Sequence, residues 1–467
     1  MNVVSPIFHV AFLVFFTYFI ILMIFYLFLG INGILESRHR AYQQNAENYS
    51  TNYLSYGALP VTILIPAHNE EAWVSDCLLS TLNLNYPKFE VIVADDNSTD
   101  NTFNVLNDIL ELERIDLCYT QHYKDVQIKG IFKSVKHPHV FVVRNTSGKK
   151  KAGALNAALD IAQGEYVCAM DGDTILEPNA LIDIMAHIAK DPDKIIGVGS
   201  HFGLANGFSI KNGRIIKRKF SFNPIIAYQN LEYIRSFIGN RLGWSKYNAV
   251  PIISGGLGIW RRDIIYELGG YSSEFTCEDL DITFKAQDYI ANHREKGYKL
   301  VSLPYCVGWT EGPSNLWSLF SQRERWQRVV NEAAWKYKYM MFNFKYGAFA
   351  FIAVPYYILY EVLGAFFEVT SIAMVAWGWA AGILSIRTFI AFTLLMILSQ
   401  VLLSIISIFA FTLSQKVFSI RYVLYLISLG FVEFLAYRWI LSAARVASCF
   451  NSLRGVRKYN RYVRAKR

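Results

Sequence analysis

The sequence predicts a molecule in two parts: an α/β domain on a doubly wound, mostly parallel sheet, and an α-helical transmembrane bundle. Three observations carry this. The 467-residue chain is 53% hydrophobic with a mean hydropathy of +0.23, yet 18% of its residues are charged. That mixture fits neither a disordered chain nor an ordinary soluble enzyme, in which about 25% of residues are charged. The longest apolar runs lie towards the two ends of the chain, and between them short β-rich runs alternate with helical patterns, as βαβ units do.

Residues 6–34 contain no Asp, Glu, Lys or Arg, and about 20 such residues suffice to cross a bilayer. Residues 1–36 are therefore read as an N-terminal transmembrane helix. The competing reading, a cleaved signal peptide, lacks its basic n-region and its A-x-A site. Arg38, His39 and Arg40 come after the run and no charge precedes it. The positive-inside rule then places the N-terminus outside and the chain after Glu36 in the cytosol.

Residues 54–312 read as a soluble domain, and 313–345 as amphipathic interfacial helices. Residues 346–447 turn apolar again, with about four spans near 347–367, 369–386, 388–413 and 420–443. The first two are so close that one bent or re-entrant element is an alternative. The tail, 448–467, carries Arg454, Arg457, Lys458, Arg461, Arg464, Lys466 and Arg467 and no acid after Arg454. Keeping it cytosolic requires an even number of spans after the soluble domain. The expected location is a multi-pass protein of the cell membrane.

In the soluble domain, strands are expected at 61–67, 89–95, 139–145 and 165–171, and helices at about 70–83, 100–113, 151–163 and 178–190. Such sheets bind ligands at the carboxyl ends of their strands, so the residues just past each apolar run are the candidates for a site. After the second strand stand Asp95, Asp96, Asn97, Ser98, Thr99 and Asp100; after the fourth, Asp171, Gly172 and Asp173. A helix start accounts for Asp100 but poorly for the adjacent Asp95 and Asp96. Adjacent carboxylates repel unless a cation or donor-rich ligand joins them, and hard oxygen ligands suit Mg²⁺ or Mn²⁺ bridging phosphates.

Gly148 to Asn156 (GKKKAGALN) opens a helix, where lysines and a helix N-terminus suit a diphosphate; a solvated charge run is the plain alternative. Further on come Ser254-Gly255-Gly256, Cys277-Glu278-Asp279 and Gln322-Arg323-Glu324-Arg325-Trp326. The first could admit close backbone approach to a ligand. The acids of the second also fit a helix start. The third lies on a helix where Leu316, Leu319, Phe320, Val330 and Ala333 share roughly one face, as in an interfacial helix.

Taken together, the stretches VTILIPAHNEE (61–71), LNYPKFEVIVADDNSTDNT (84–102), GKKKAGALNAAL (148–159), YVCAMDGDTILEPNAL (166–181), ISGGLGIWRRD (253–263), TCEDLDITFK (276–285) and QRERW (322–326) resemble the inverting, membrane-embedded family 2 glycosyltransferases. That group includes poly-N-acetylglucosamine, hyaluronan, chitin and cellulose synthases. The resemblance implies a GT-A fold, Rossmann-like, and a nucleotide-sugar donor: a UDP-sugar, with UDP-N-acetylglucosamine the first to test. It implies Mg²⁺ or Mn²⁺ on Asp173 and Asp171, and donor contacts from Asp95, Asp96, Lys151, Asp171 and Arg325. Asp279 is implied as the general base. Trp326, Gln322, Ser254, Gly255, Gly256 and Glu278 are implied at the acceptor. The family's Thr-Glu-Asp triplet reads Cys277-Glu278-Asp279 here, with Thr276 one residue early, so the role of a hydroxyl is in doubt.

The residue types suit that chemistry. Direct displacement at an anomeric carbon needs a base within reach of the acceptor hydroxyl. It also needs cations at the departing diphosphate, where a metal ion, Lys151 and Arg325 can act. The membrane half points to processive synthesis and export of a β-linked polysaccharide, with Glu361, Glu368, Gln400, Glu433 and Arg438 as pathway candidates and Tyr356, Tyr357, Trp377 and Trp379 as sugar-stacking candidates. Packing within the bundle and aromatic belts are the plainer reading of each. Single transfer to a membrane lipid, polyprenyl phosphate or ceramide-like, is the alternative within the enzyme class. A transporter or receptor with a degenerate transferase domain is the alternative outside it. Expected partners are the donor, the growing polysaccharide or lipid acceptor, the lipid bilayer and, as an open question, an accessory subunit. No motif supports nucleic acid.

Other features have plain readings. Residues 209–215 fit a hairpin with an Asn212-Gly213 turn. The six cysteines lack CxxC spacing, and those of the soluble part, Cys77, Cys118, Cys168 and Cys277, are expected to be buried thiols. Residues 115–138 give no pattern.

Overall fold

The computed structural model describes residues 4–47, 57–124, 126–146, 150–414 and 417–454. Helix α1 (Val4–Glu47) leads into the α/β domain. There β1 (Val61–Ala67), α2 (Val74–Leu82), β2 (Phe89–Asp96), α3 (Thr102–Leu110), β3 (Leu112–Ile115), β4 (Ile128–Ser134) and β5 (Val140–Asn145) succeed one another. Then come α4 (Lys150–Ile161), β6 (Tyr166–Met170), β7 (Ile175–Leu176), α5 (Ala180–Ile188) and β8 (Ile195–Leu204). The ten-stranded sheet runs β3-β4-β5-β2-β1-β6, then β11 (Leu257–Arg261), β8, β12 (Lys299–Thr310) and β7.

Four adjacent strands, β5, β2, β1 and β6, are parallel. Strand β11 is antiparallel to both β6 and β8, β12 is parallel to β8, and the outer strands β3, β4 and β7 pair antiparallel. The sheet is thus mixed around a parallel core. This arrangement turns the carboxyl ends of β1, β2, β6, β8 and β12 to one edge. The start of β11, where Leu257 pairs with Met170, meets them there.

Alternate residues of β1 and β2 feed two cores, as a period of two requires. Ile63, Ile65, Val91 and Val93 pack under α2, α3 and α5. Leu64, Ile92 and Ala94 pack under α4 and its neighbours. Burial on both faces explains why VTILIPA reads as one continuous apolar run. The turn of the hairpin β9 (Ser209–Lys211) and β10 (Arg214–Lys217) places Asn212 and Gly213 at φ 51° and 70°. Both lie in the left-handed region that an Asn-Gly turn supplies.

Of the cysteines, Cys77 and Cys168 are buried, Cys277 is half-buried and Cys118 is exposed. The expectation of a buried thiol therefore fails at Cys118, which lies outside the sheet in the loop after β3. Residues 115–138 hold the loop after β3 and then β4, which pairs with β3; β3 takes residues 112 and 113 from the end of the helix expected at 100–113. The loop between them is pinned by the His122 ring stacked on Tyr266, with centroids 4.3 Å apart, and by the His122 N–H donated to Asp160.

After β8 the chain forms α6 (Pro224–Ile234), which runs through a π-helical segment, Arg235–Arg241, into Leu242–Ser245. Helices α7 (Arg262–Glu267) and α8 (Glu278–Asn292) flank the sheet, and α9 (Leu316–Lys336) comes after β12. On α9, Leu319 and Ala333 are buried but Leu316 is 53% exposed, next to Trp317 at 74%. Its buried face also holds Gln322, Arg323, Glu324, Gln327 and Arg328. The charges expected beside an apolar stripe are turned inward and paired there, as in the Arg328–Glu324 pair at 2.6 Å.

The apolar ends form two helices long enough to cross a membrane, Phe8–Arg40 and Ile386–Leu413. Two bent pairs accompany them: Phe349–Val362 with Gly364–Ala380 (47°) and Ile420–Leu435 with Tyr437–Leu453 (54°). The C-terminal region thus holds one long helix, α11 (Ile386–Ser414), and two bent pairs among the described residues, instead of about four separate spans. The first pair, ending in α10 (Gly364–Ala380), is the bent element left open as the alternative for residues 347–386.

Ring contacts fix their directions. The first pair runs antiparallel to α1, with Phe25 near Tyr356 and Phe8 near Trp377. Helix α11 returns parallel to α1, with Phe12 near Phe392 and the Gly30 position against Ile406. The last pair, α12 (Ile420–Val432) and α13 (Tyr437–Leu453), begins beside Phe220 and Phe222 and ends where Asn451 donates to Glu324 of α9 at 3.0 Å. Both of its ends face the α/β domain. It forms a V with Glu433 at the elbow. The basic tail beyond Arg454 lies outside the described residues.

Candidate active site

The shared strand edge opens onto a cavity of about 500 Å³ lined by Asp96, Lys151, Asp171, Asp173, Glu278 and Arg325, among others. Lys151, in the first turn of α4, organises it. Its ammonium lies 2.7 Å from Asp171 Oδ1 and 2.7 Å from Glu278 Oε1, and donates to the Gly255 carbonyl at 2.9 Å. Burial works against that charge, but Asp171 and Glu278 outweigh it and hold Lys151 well above the ordinary lysine pKa. A Cβ on Gly255 would fall 2.8 Å from Glu278 Oε1 and 2.9 Å from Lys151 Nζ, so this position must be glycine for the three groups to meet.

Asp279 stands at the N-terminus of α8. Its Oδ2 accepts from the Gly255 N–H at 3.1 Å and its Oδ1 from the Leu280 N–H at 2.8 Å. Burial, and then the neighbouring Glu278 carboxylate, raise its pKa above the usual carboxylate value against the opposing pull of Lys151 and these N–H groups. A fixed, half-buried carboxylate with a raised pKa is what a proton acceptor near neutral pH requires. The Thr276 hydroxyl donates to Glu332 Oε1 at 2.7 Å, so it ties this loop to α9. Cys277 supplies a thiol that burial pushes up to about 12 and so keeps protonated.

Trp326 is held on α9 with the Arg323 guanidinium 4.0 Å from its ring centroid. Arg323 is fixed in turn by Glu232 at 2.9 Å. Trp326, Asp279, Ser254, Cys277, Phe202 and Tyr233 line the first cavity and also a second one, of about 360 Å³. That second cavity extends between α1, the π-helical segment, α11 and the elbow of the V.

The sequence matches the model for glycosyl transferase family group 2 over residues 166–441, more than half of the chain. The chain belongs to that family. The model for glycosyl transferase family 2 also matches, over residues 62–269. This glycosyltransferase is 25% identical over 328 residues to the probable glycosyltransferase YdaM of Bacillus subtilis (strain 168), covering 70% of this chain and 67% of that one. It is 26% identical over 273 residues to a poly-beta-1,6-N-acetyl-D-glucosamine synthase of Staphylococcus epidermidis, covering 58% of this chain and 55% of that one. The chain thus spans just over half the length of that synthase. A mannosyltransferase from Pyrobaculum calidifontis, solved with GDP-Man and Mn²⁺, shares the fold with a TM-score of 0.54 at 20% identity, over 92% of this chain and 99% of that one. The enzyme is a GT-A glycosyltransferase.

Most of the residues singled out from the glycosyltransferase's sequence do converge. Asp96, Lys151, Asp171, Asp173, Gly255, Gly256, Glu278, Gln322 and Arg325 line the first cavity only, while Asp279, Ser254 and Trp326 face both. Gly255, Gly256, Glu278 and Gln322, expected at the acceptor, thus sit on the side of Lys151 and Asp171. Asp95 does not reach either cavity: it is fully buried, with Arg144 Nε at 3.2 Å and the Ser98 N–H at 3.0 Å. Asp96 lines the cavity while its Oδ1 accepts from Asn145.

In the membrane half, Glu361, Gln400, Glu433, Arg438, Tyr356 and Tyr357 line the second cavity. Glu368 lines a narrower one beyond it, and Trp377 and Trp379 are about half exposed on the outside of the bundle. Phe202, Tyr233 and Arg241 carried no sequence signal. The first sits at the tip of β8, a strand the pattern did not single out. The other two lie on the 224–245 helix, whose π-helical register cannot be read from apolar spacing.

Proposed function

We propose that the enzyme moves a sugar from a nucleotide-sugar to an acceptor hydroxyl lying in the second cavity, and so builds a β-linked polysaccharide that leaves through the membrane half. The observation that carries this is the shared wall: Asp279 and Trp326 belong to both cavities. The first then holds the donor, with Lys151 and Arg325 at the diphosphate and Asp96 towards the nucleoside. Asp279 takes the acceptor proton, and Trp326 offers a ring face to the apolar side of a pyranose. One displacement inverts an α-linked donor to a β-linked product.

A divalent cation fits this donor site. Asp171 and Asp173 both line the first cavity, Asp173 nearly buried and held by the Thr310 hydroxyl at 3.2 Å. No third His, Cys, Asp or Glu joins them among the described residues. Such a pair suits Mg²⁺ or Mn²⁺ whose shell is completed by phosphate oxygens. Bound there, the ion would neutralise charge on the leaving diphosphate. The staphylococcal relative makes UDP-N-acetylglucosamine the first donor to test.

The test is a panel of UDP-sugars with Mg²⁺ and Mn²⁺, scored for UDP release and product length from the purified membrane protein. Metal-dependent UDP release with long polymer is expected. A product of one sugar on a lipid would replace the polymer reading, and no release with any donor would overturn both.

The membrane arrangement rests on the same reading. Residues 1–36 anchor the chain with its N-terminus outside, 54–312 form the cytosolic domain, 313–345 lie at the interface, 346–447 form the membrane region and 448–467 stay cytosolic. The support is the end of α13, which packs on α9 through Asn331 and Ser452, 3.3 Å apart. In spheroplasts, a C-terminal epitope is expected to resist protease added outside until the membrane is permeabilised, whereas an N-terminal one is lost at once.

A further inference from the structure

Asp279 and Trp326 stand on different helices, α8 and α9, so their separation is set by whatever joins the two. Positions 325, 329, 332 and 336 of α9 share one face at helical spacing. Arg325, the first of them, lines the first cavity. Val329 packs in one core with Phe275, Leu280 and Phe284, on either side of the start of α8. Lys336, the last, reaches Asp281 Oδ1 at 3.0 Å, where the Tyr337 hydroxyl also donates at 2.5 Å.

Glu332 is the remaining residue of that face. Its Oε2 accepts the Thr276 N–H at 2.8 Å and its Oε1 the Thr276 hydroxyl at 2.7 Å. Among the described residues no cation pairs with it. The carboxylate is therefore given to one residue of the loop, through two charge-assisted bonds. Glu332 is not among the residues lining either cavity, whereas Thr276 lines the first, three positions before Asp279.

The loop from Tyr271 to Asp279 has a tie at each end. At the first, Asn156 of α4 accepts the Tyr271 N–H and donates to the Tyr271 carbonyl, both at 2.9 Å. Asp279 itself is held to the donor half by the Gly255 N–H. The tie to the acceptor half is the one from Thr276 to Glu332, on the helix that carries Trp326.

We infer that Glu332 is a positioning residue for sugar transfer: through Thr276 it fixes how far the Asp279 carboxylate stands from the Trp326 face. This rests on the reading of Asp279 as the base and Trp326 as the acceptor platform. With the tie cut, a water oxygen can bond to the anomeric carbon in place of the acceptor hydroxyl. The bond to the diphosphate breaks, Asp279 takes the water proton, and free sugar and nucleoside diphosphate leave.

The full-length enzyme can be assayed with a radiolabelled nucleotide-sugar that the unaltered protein uses, counting free sugar and transferred sugar separately. Glu332→Ala is expected to lower transfer by up to about 100-fold, leave the donor KM unchanged and raise the ratio of free to transferred sugar. That ratio does not depend on the fraction of enzyme that is folded, so lost stability alone cannot move it. Thr276→Val removes the hydroxyl but keeps the N–H. It should raise the ratio less, and add nothing further in the Glu332→Ala background. Where Glu332→Ala does not fold, Thr276→Val reads the same tie on its own. An unchanged ratio in the variant that folds, or fully independent effects of the two substitutions, would overturn the inference. Asp279→Asn measured alongside separates it from the reading beneath it. Slowed transfer in Asp279→Asn with an unchanged ratio in Glu332→Ala removes the inference alone. Near-normal transfer in Asp279→Asn, or no nucleotide release from the unaltered enzyme with any donor, removes the reading and the inference with it.

Discussion

Asp279→Asn is expected to slow sugar transfer by roughly 10²–10⁴-fold, the range that a positioned general base supplies, while the donor still binds. The substitution keeps an oxygen to accept from the Gly255 or Leu280 N–H, so the loop and the start of α8 hold their places. Only the capacity to take a proton is lost. The pH profile gives a second readout. Burial and Glu278 raise the Asp279 pKa, and the base acts when deprotonated, so activity should rise with pH through a limb above the ordinary carboxylate range. Glu278→Gln removes one of the raising charges and should move that limb to lower pH. Turnover close to normal in Asp279→Asn, with donor affinity measured by calorimetry, would remove Asp279 from the base role.

Lys151→Met should weaken both the fold and the donor site. Glu278 is 7% exposed and loses its cation, and stranding one partner of a buried pair costs about 3–5 kcal/mol. Since the lysine side chain is itself 27% exposed, the lower end of that range is expected. Donor affinity should fall at the same time, because the ammonium joins Asp171 to the Gly255 carbonyl at the centre of the first cavity. Thermal unfolding and nucleotide titration read the two effects separately. If Lys151→Met lowers stability but leaves nucleotide affinity intact, the lysine is a strut and not a donor ligand.

In the first half of the α/β domain the four parallel strands were legible to within a residue and their helices to within a few, whereas the edge strands β3 and β4 were not read. Strands β1, β2, β5 and β6 and the helices between them coincide with the apolar runs, because each strand is buried on both faces and bounded by turn residues or acids. Strands β8 and β12 were not singled out. Gly197, Gly199 and Gly203 interrupt the apolar pattern of β8, and Gly197 and Gly203 make room for Trp260 and Trp309. Asp171 and Asp173, just past β6, and Lys151, in the first turn of α4, were picked out in sequence and line the first cavity. The site was not legible at Asp95, whose carboxylate is spent on Arg144 and Ser98. Composition alone cannot tell a ligand-facing acid from one that braces a turn. The bend within 420–453 was not legible either: hydropathy records that the stretch is apolar, but Glu433 at the elbow pairs with Arg235 of the preceding domain.

That elbow bears on what holds the two halves together. An apolar helix pair that buries a carboxylate at its bend needs a counter-charge there. Arg235 supplies it from the 224–245 helix, which comes earlier in the chain. Glu433 and Arg235 thus each bury a charge that the other compensates. A catalytic half cut away from the V is therefore expected to be less stable than the whole chain, because Arg235 loses its Glu433 partner.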